Sequence, residues 1–168
     1  MIRSLIFLLL TGFTAFGQNV AELEKRNGFK DIKLGSLIDS VKGFKLEKEF
    51  KERDEFSAKL FSVENPDYEN IGEVKVNKIE LKTYKDIIYE IRVVTDKDPR
   101  LMKALESLYG GADYDMKNKT YFWKTDNIVL KFISESRNKL ELTYISPPVH
   151  KLMKDDKSQK VDDIAHDF

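Results

Sequence analysis

The residues able to do chemistry are few, and their spacing works against them. The chain has no cysteine and two histidines, His150 and His166, both beyond the last apolar strand pattern in a charged tail. A serine nucleophile needs a base to take its proton, and no Gly-x-Ser-x-Gly elbow is present. Both histidines are expected to be solvated. A zinc site needs His or Cys pairs at fixed spacing, and none occurs. Asp113-Tyr114-Asp115 begins like a calcium loop, but Lys117 stands where the next oxygen ligand belongs, Asn118 replaces the turn glycine, and no glutamate follows at the twelfth place. Asn65, Asp67, Glu69 and Asn70 are a second oxygen-rich cluster, broken by Pro66 and Tyr68, and read as a turn. Gly110-Gly111 follows a helical pattern, whereas a phosphate loop must precede one. With 29 acidic residues in 168, carboxylates will pair in any fold, and none sits in an apolar run that would raise its pKa. The expectation is no catalytic residue, no metal ligand and no cofactor.

The remaining resource is aromatic and aliphatic. Most of it falls in phase with core faces, including Trp123 with Tyr121. Tyr84, Phe122, Ile133 and Ile145 fall on the opposite phase, among Lys82, Arg92, Lys131 and Glu141. If these residues share an open sheet face, they form an apolar patch with a charged surround, and Tyr84, Phe122, Ile133, Ile145 and Arg92 become candidate binding residues. The alternative is that the C-terminal segment covers them.

The elements that would position this patch can be read from periodicity. Asn19 caps a short helix over Val20 to Arg26, with Gly28 as its stop. Ser36-Leu37-Ile38-Asp39 has the form of a capping box, which predicts a second short helix ending at Gly43. Residues 44–55 are mostly charged and predict a loose strand or loop. From Phe56 the pattern becomes period two, with a slip at Asn77-Lys78 that reads as a bulge or tight turn. Tyr89, Ile91 and Val93 form one face of a strand, with Glu90 and Arg92 on the other, as in an antiparallel sheet. Asp98 and Pro99 open the clearest helix, through Leu101, Ala104, Leu105, Leu108 and Tyr109. Strands follow at 120–124, 128–134 and 139–145, with core sets Ile128/Leu130/Phe132 and Leu140/Leu142/Tyr144. Pro147-Pro148 ends the sheet, and 147–168 is a charged helix or a frayed tail. The order helix, strand, strand, strand occurs twice, over Leu37–Thr95 and Leu101–Ser146. The fold class is α+β: a curved antiparallel sheet of about six strands with helices on one face, and a possible tandem αβββ duplication.

Residues 1–17 have the layout of a signal peptide: Arg3, an apolar run centred on Leu5–Leu10, then small Ala15 and Gly17 before a cleavage at Gln18. The apolar run is shorter than the roughly 20 residues that a membrane helix needs. No cysteine follows for lipidation, so no stable membrane insertion is expected after cleavage. This divides the chain into a signal at 1–17, one domain at 18–146 and the C-terminal segment at 147–168. The balance of 29 basic and 29 acidic residues removes the usual electrostatic case for nucleic acid.

The signal, Phe29-x-x-Ile32-x-Leu34-Gly35, the Leu108-Tyr109-Gly110 helix stop and the Trp123 strand together resemble small periplasmic and secreted proteins of Gram-negative bacteria. The tandem layout is similar to the β-lactamase inhibitor protein architecture. Those inhibitors are disulfide-bonded and this chain has no cysteine, so the likeness implies an architecture and carries over neither inhibition nor a binding residue. The expected function is a non-catalytic binding or interaction domain, periplasmic or secreted, whose partner is another envelope or secreted protein. The alternatives are a small envelope hydrolase using carboxylate chemistry and a small-ligand carrier. A hydrolase predicts a concave pocket with opposed pKa shifts. A carrier predicts an apolar cavity between sheet and helices.

Overall fold

The computed structural model describes residues 19–166. The signal layout and the Gly17–Gln18 cleavage lie outside those residues. Helix α1 (Val20–Arg26) starts where the Asn19 side chain accepts from the Glu22 amide at 3.3 Å, and it stops at Asn27, whose φ of 43° is left-handed. A tight hairpin follows, β1 (Gly28–Phe29) against β2 (Ile32–Lys33). Gly28 has φ +142°, and a side chain there would meet the Ile32 carbonyl oxygen, so only glycine fits.

The second helix expected from Ser36 is a single 3-10 turn, Ile38–Ser40. The backbone of this segment is engaged elsewhere. Gly35 N donates to Ile88 O (2.8 Å), Ile88 N to Ser36 O (2.9 Å) and Ile38 N to Asp86 O (2.9 Å). Those bonds hold the segment against a strand turn and leave no room for a longer helix.

The sheet has nine antiparallel strands rather than six, and it is not closed into a barrel. They are β3 (Phe44–Glu52), β4 (Phe56–Val63), β5 (Asn70–Ile71), β6 (Val74–Tyr84), β7 (Ile87–Asp96), β8 (Asp113–Asp115), β9 (Thr120–Lys124), β10 (Val129–Ser136) and β11 (Lys139–Ile145). The spatial order is β3-β4-β6-β7-β11-β10-β9-β8, with β5 beside β6. Two meanders therefore meet where β7 pairs with β11, in the unbroken register Lys139↔Asp96 to Ile145↔Glu90. The extra strands have little burial to announce them. Charged β3 is an edge strand held by its ladder to β4, and β5 and β8 are two and three residues long. The slip at Asn77 is a register shift between Val76 and Lys78.

Helices lie on both faces of the sheet, not one. Helix α2 (Pro99–Tyr109), capped by Asp98 accepting from Arg100 N at 2.8 Å, sends Leu101, Leu105 and Tyr109 onto Leu81, Ile91, Val93, Leu130 and Leu142. Trp123 is fully buried in the same core, donating its Nε1–H to Gly110 O at 2.8 Å, edge-to-face with Tyr109. Tyr121 is not core. It is 41% exposed and stacks on Tyr114 at the β8 edge, 4.6 Å between rings. The third helix, α3 (Pro147–His166), packs Val149 and Met153 on the opposite face, over Ala58, Tyr84 and Tyr89. Tyr89 reaches that face because a register shift between Lys82 and Thr83 takes it out of phase with Ile91 and Val93.

Candidate functional site

The site is the part of the second face that α3 leaves uncovered. Strand alternation and register place Arg92, Thr143, Lys131 and Phe122 in one row across β7, β11, β10 and β9. Ile145 pairs with Glu90 on one side of that row, and Ile133 pairs with Glu141 on the other. Of the five candidates, Arg92, Phe122, Ile133 and Ile145 thus share the open face, all partly exposed.

Tyr84 does not join them. It is buried beneath α3, against Phe56 at 6.3 Å, and its hydroxyl donates to Asp156 at 2.8 Å. Burial, then the Asp156 carboxylate, push this phenol up to about 12. Lys85 pairs with the same carboxylate at 2.6 Å. For Tyr84 the C-terminal segment is the cover.

Arg92 organises the open face. It donates from Nη1 to Glu80 at 2.7 Å and from Nε and Nη2 to Glu141, both at 2.7 Å. Glu135 lies 3.6 Å from Nη2. Thr143 Oγ1 donates to the other Glu141 oxygen at 2.8 Å, and Lys78 reaches Glu80 at 2.7 Å. The fork geometry fixes the guanidinium plane as a single lysine contact could not. Burial alone would lower the Arg92 pKa, but its bonds to Glu141 and Glu80 hold it raised. Burial likewise pushes the Glu80 carboxyl up, and Lys78 and Arg92 more than reverse that, leaving it lowered. Glu80 is therefore held ionised, the opposite of what a general acid requires. Separate ion pairs flank it: Lys82 with Glu90 at 3.0 Å and Lys139 with Asp96 at 2.6 Å.

Sequence reasoning missed a second cluster, at the edge of α3. His166 is exposed, as expected, but His150 is partly buried. Its ring meets Tyr89 edge-on at 5.1 Å, and Tyr89 donates its hydroxyl to Glu52 at 2.7 Å. Burial, then Arg53, lower the His150 pKa, opposed by Glu52 and Glu90. No local motif signals this, because Glu52, Tyr89 and His150 come from three distant segments.

The oxygen-rich motifs close turns. Asp115 accepts from the Lys117 and Asn118 amides at 2.9 and 3.2 Å, and Asn65 accepts from Asp67 N at 3.0 Å. Among the described residues, no group of three or more His, Cys, Asp or Glu could hold a metal ion, and no helix is long and apolar enough to cross a membrane. No family model, curated protein or solved structure matches the chain.

Proposed function

We propose that the chain is an exported, non-catalytic binding domain of the bacterial envelope that engages another envelope or secreted protein through its open sheet face. The observation that carries this reading is Arg92 clamped between Glu80 and Glu141, with Ile133 and Ile145 half-exposed beside it. Fixed charges of both signs around small apolar anchors suit recognition of a partner surface with the complementary pattern, because charge complementarity selects partners more than it adds affinity. The sheet lends rigidity, so little side-chain ordering remains to be done on binding. The signal layout of residues 1–17 supports export. The hydrolase reading draws less support, since Glu80 is tuned toward ionisation.

The test uses the protein purified after export. Its intact mass is expected to correspond to a chain beginning at Gln18. As bait on envelope extract at moderate salt, it is expected to enrich one protein that then binds directly when purified. The same bait carrying Ile133→Glu is expected to lose that protein. Enrichment indifferent to Ile133→Glu, or no direct binding, would count against the open face.

A further inference from the structure

The α2-covered side of the sheet is not completely filled. A cavity of about 280 Å³ lies between α2 and the β1–β2 hairpin, floored by β11. That is near the lower end of ligand pockets, roughly 300–1,000 Å³. Its body is apolar: Phe29, Ile71, Leu101, Leu105, Leu108 and Leu142. Arg26, Lys30 and Lys33 also line it, and no carboxylate does.

Two tyrosines complete the wall. Tyr109 and Tyr144 are each 4% exposed. Neither phenol hydroxyl has a hydrogen-bond partner among the described residues. Among those residues, the one side-chain oxygen or nitrogen sealed away without a partner is Thr83 Oγ1. Both tyrosines line the cavity. Burial lifts both hydroxyls above the ordinary tyrosine range, Arg26 opposes the rise in each, and Glu22 adds to it at Tyr109 and Tyr109 to it at Tyr144. Both stay protonated donors, and Arg26 is within electrostatic reach of both. Arg26 gives its Nε to Glu22 at 2.7 Å, and its terminal nitrogens have no partner among the described residues. Lys33 anchors this end by donating to the carbonyls of Arg26 and Lys30, both at 2.7 Å. Arg26, its side chain 48% exposed, and the two phenols thus line one otherwise apolar cavity.

We propose that this cavity binds a small amphipathic carboxylate, its head group on the Tyr109 and Tyr144 hydroxyls and the Arg26 guanidinium, its apolar body along α2. The site lies on the opposite side of the sheet from Arg92 and stands independently of the open-face reading. Cationic and phenolic donors at one end select an anion. Leucine side chains at the other end select an apolar chain of matching length.

Octanoate and octan-1-ol serve as probes, titrated into the protein by calorimetry. The single tryptophan is a second readout, because Trp123 packs on Tyr109 with ring centroids 6.1 Å apart. Octanoate is expected to bind saturably, and about tenfold more tightly than the alcohol. Arg26→Gln is expected to weaken octanoate about tenfold and leave octan-1-ol unchanged. Ala104 is exposed on α2 at the cavity wall, so Ala104→Phe is expected to block both probes in a folded protein. No saturable octanoate binding, equal affinity for acid and alcohol, or full binding by Ala104→Phe would overturn the proposal.

Discussion

Replacing Arg92 by methionine is expected to cost about 2–3 kcal/mol of folding stability at neutral pH. Breaking one partner out of a fully buried ion pair costs about 3–5 kcal/mol, and an exposed pair contributes about 0–1. The Arg92 side chain is 27% exposed, against 15% for Glu80 and 13% for Glu141, so the expected cost falls between those limits. Methionine keeps most of the apolar stem, which separates charge from packing. Loss of the guanidinium would leave Glu80, Glu135 and Glu141 facing one another without their shared cation. The pH dependence has a definite sign. Glu80 is depressed in the folded state, so its contribution is fully present above the unfolded glutamate pKa of about 4.3 and is lost as pH falls through the folded value. Urea unfolding at pH 7 is expected to show the full gap, and unfolding at a pH below the folded Glu80 value a much smaller one. Glu80→Gln made in both backgrounds should give a coupling energy of about 1 kcal/mol or more. A gap under about 0.5 kcal/mol at pH 7 would show the network to be solvated rim. A gap that pH does not change would assign the loss to packing.

Three further outcomes follow from other parts of the molecule. Trp123→Ala is expected to cost about 3–5 kcal/mol in chemical denaturation, since it empties a fully buried site and orphans the Gly110 carbonyl; a cost near zero would move Trp123 out of the core. Deleting residues 147–168 is expected to bare Tyr84, Tyr89 and Ala58, lowering stability and raising self-association in sedimentation, and an unchanged stable monomer would reduce α3 to an appendage. His150 is depressed in the folded state and faces Tyr89, Glu52, Glu90, Arg53 and Lys154. The unfolded chain therefore takes up its proton first, and stability is lost as pH falls from about 6.5 toward the folded value. Protection factors in α3, taken relative to the intrinsic exchange rate at each pH, are expected to fall over that window, and His150→Gln to flatten the response.

What the sequence reveals depends on how each element is held. Strands β10 and β11 are legible because burial holds them: Ile128, Leu130 and Phe132, then Leu140, Leu142 and Tyr144, all reach the core. Helix α2 is legible because cap, spacing and stop agree. Strand β3 is not, because its residues are largely exposed and its order comes from backbone bonds to β4, which side-chain pattern does not report. Tyr89 is misplaced by alternation alone, since one register shift sends it to the other face. The parity of Phe122, Ile133 and Ile145 survives because their strands pair without interruption there. Tyr84 has the right parity and the wrong exposure. Only the docking of Val149 and Met153 settles that, and two apolar residues in a charged helix are a faint signal. The Tyr109–Tyr144–Arg26 end of the cavity is invisible for a related reason: each residue reads as an ordinary core or surface position until α2, β11 and α1 are brought together.

The two faces of the sheet follow different physical logic, and this bears on where recognition can sit. On the α2 side, stability rests on apolar area removed from water, which is indifferent to partner identity. An open face on the other side could not be apolar as well without inviting sheets of separate chains to stack. The chain places Arg92, Lys82 and Lys139 there, each facing a carboxylate at hydrogen-bonding distance. Such pairs contribute modestly to stability, yet they fix where each charge stands. An arrangement that would disfavour stacking of identical copies would also present a defined charge pattern to a different molecule. Ile133 and Ile145, half-exposed within that pattern, are the positions where a complementary surface would gain apolar contact only after its charges had matched.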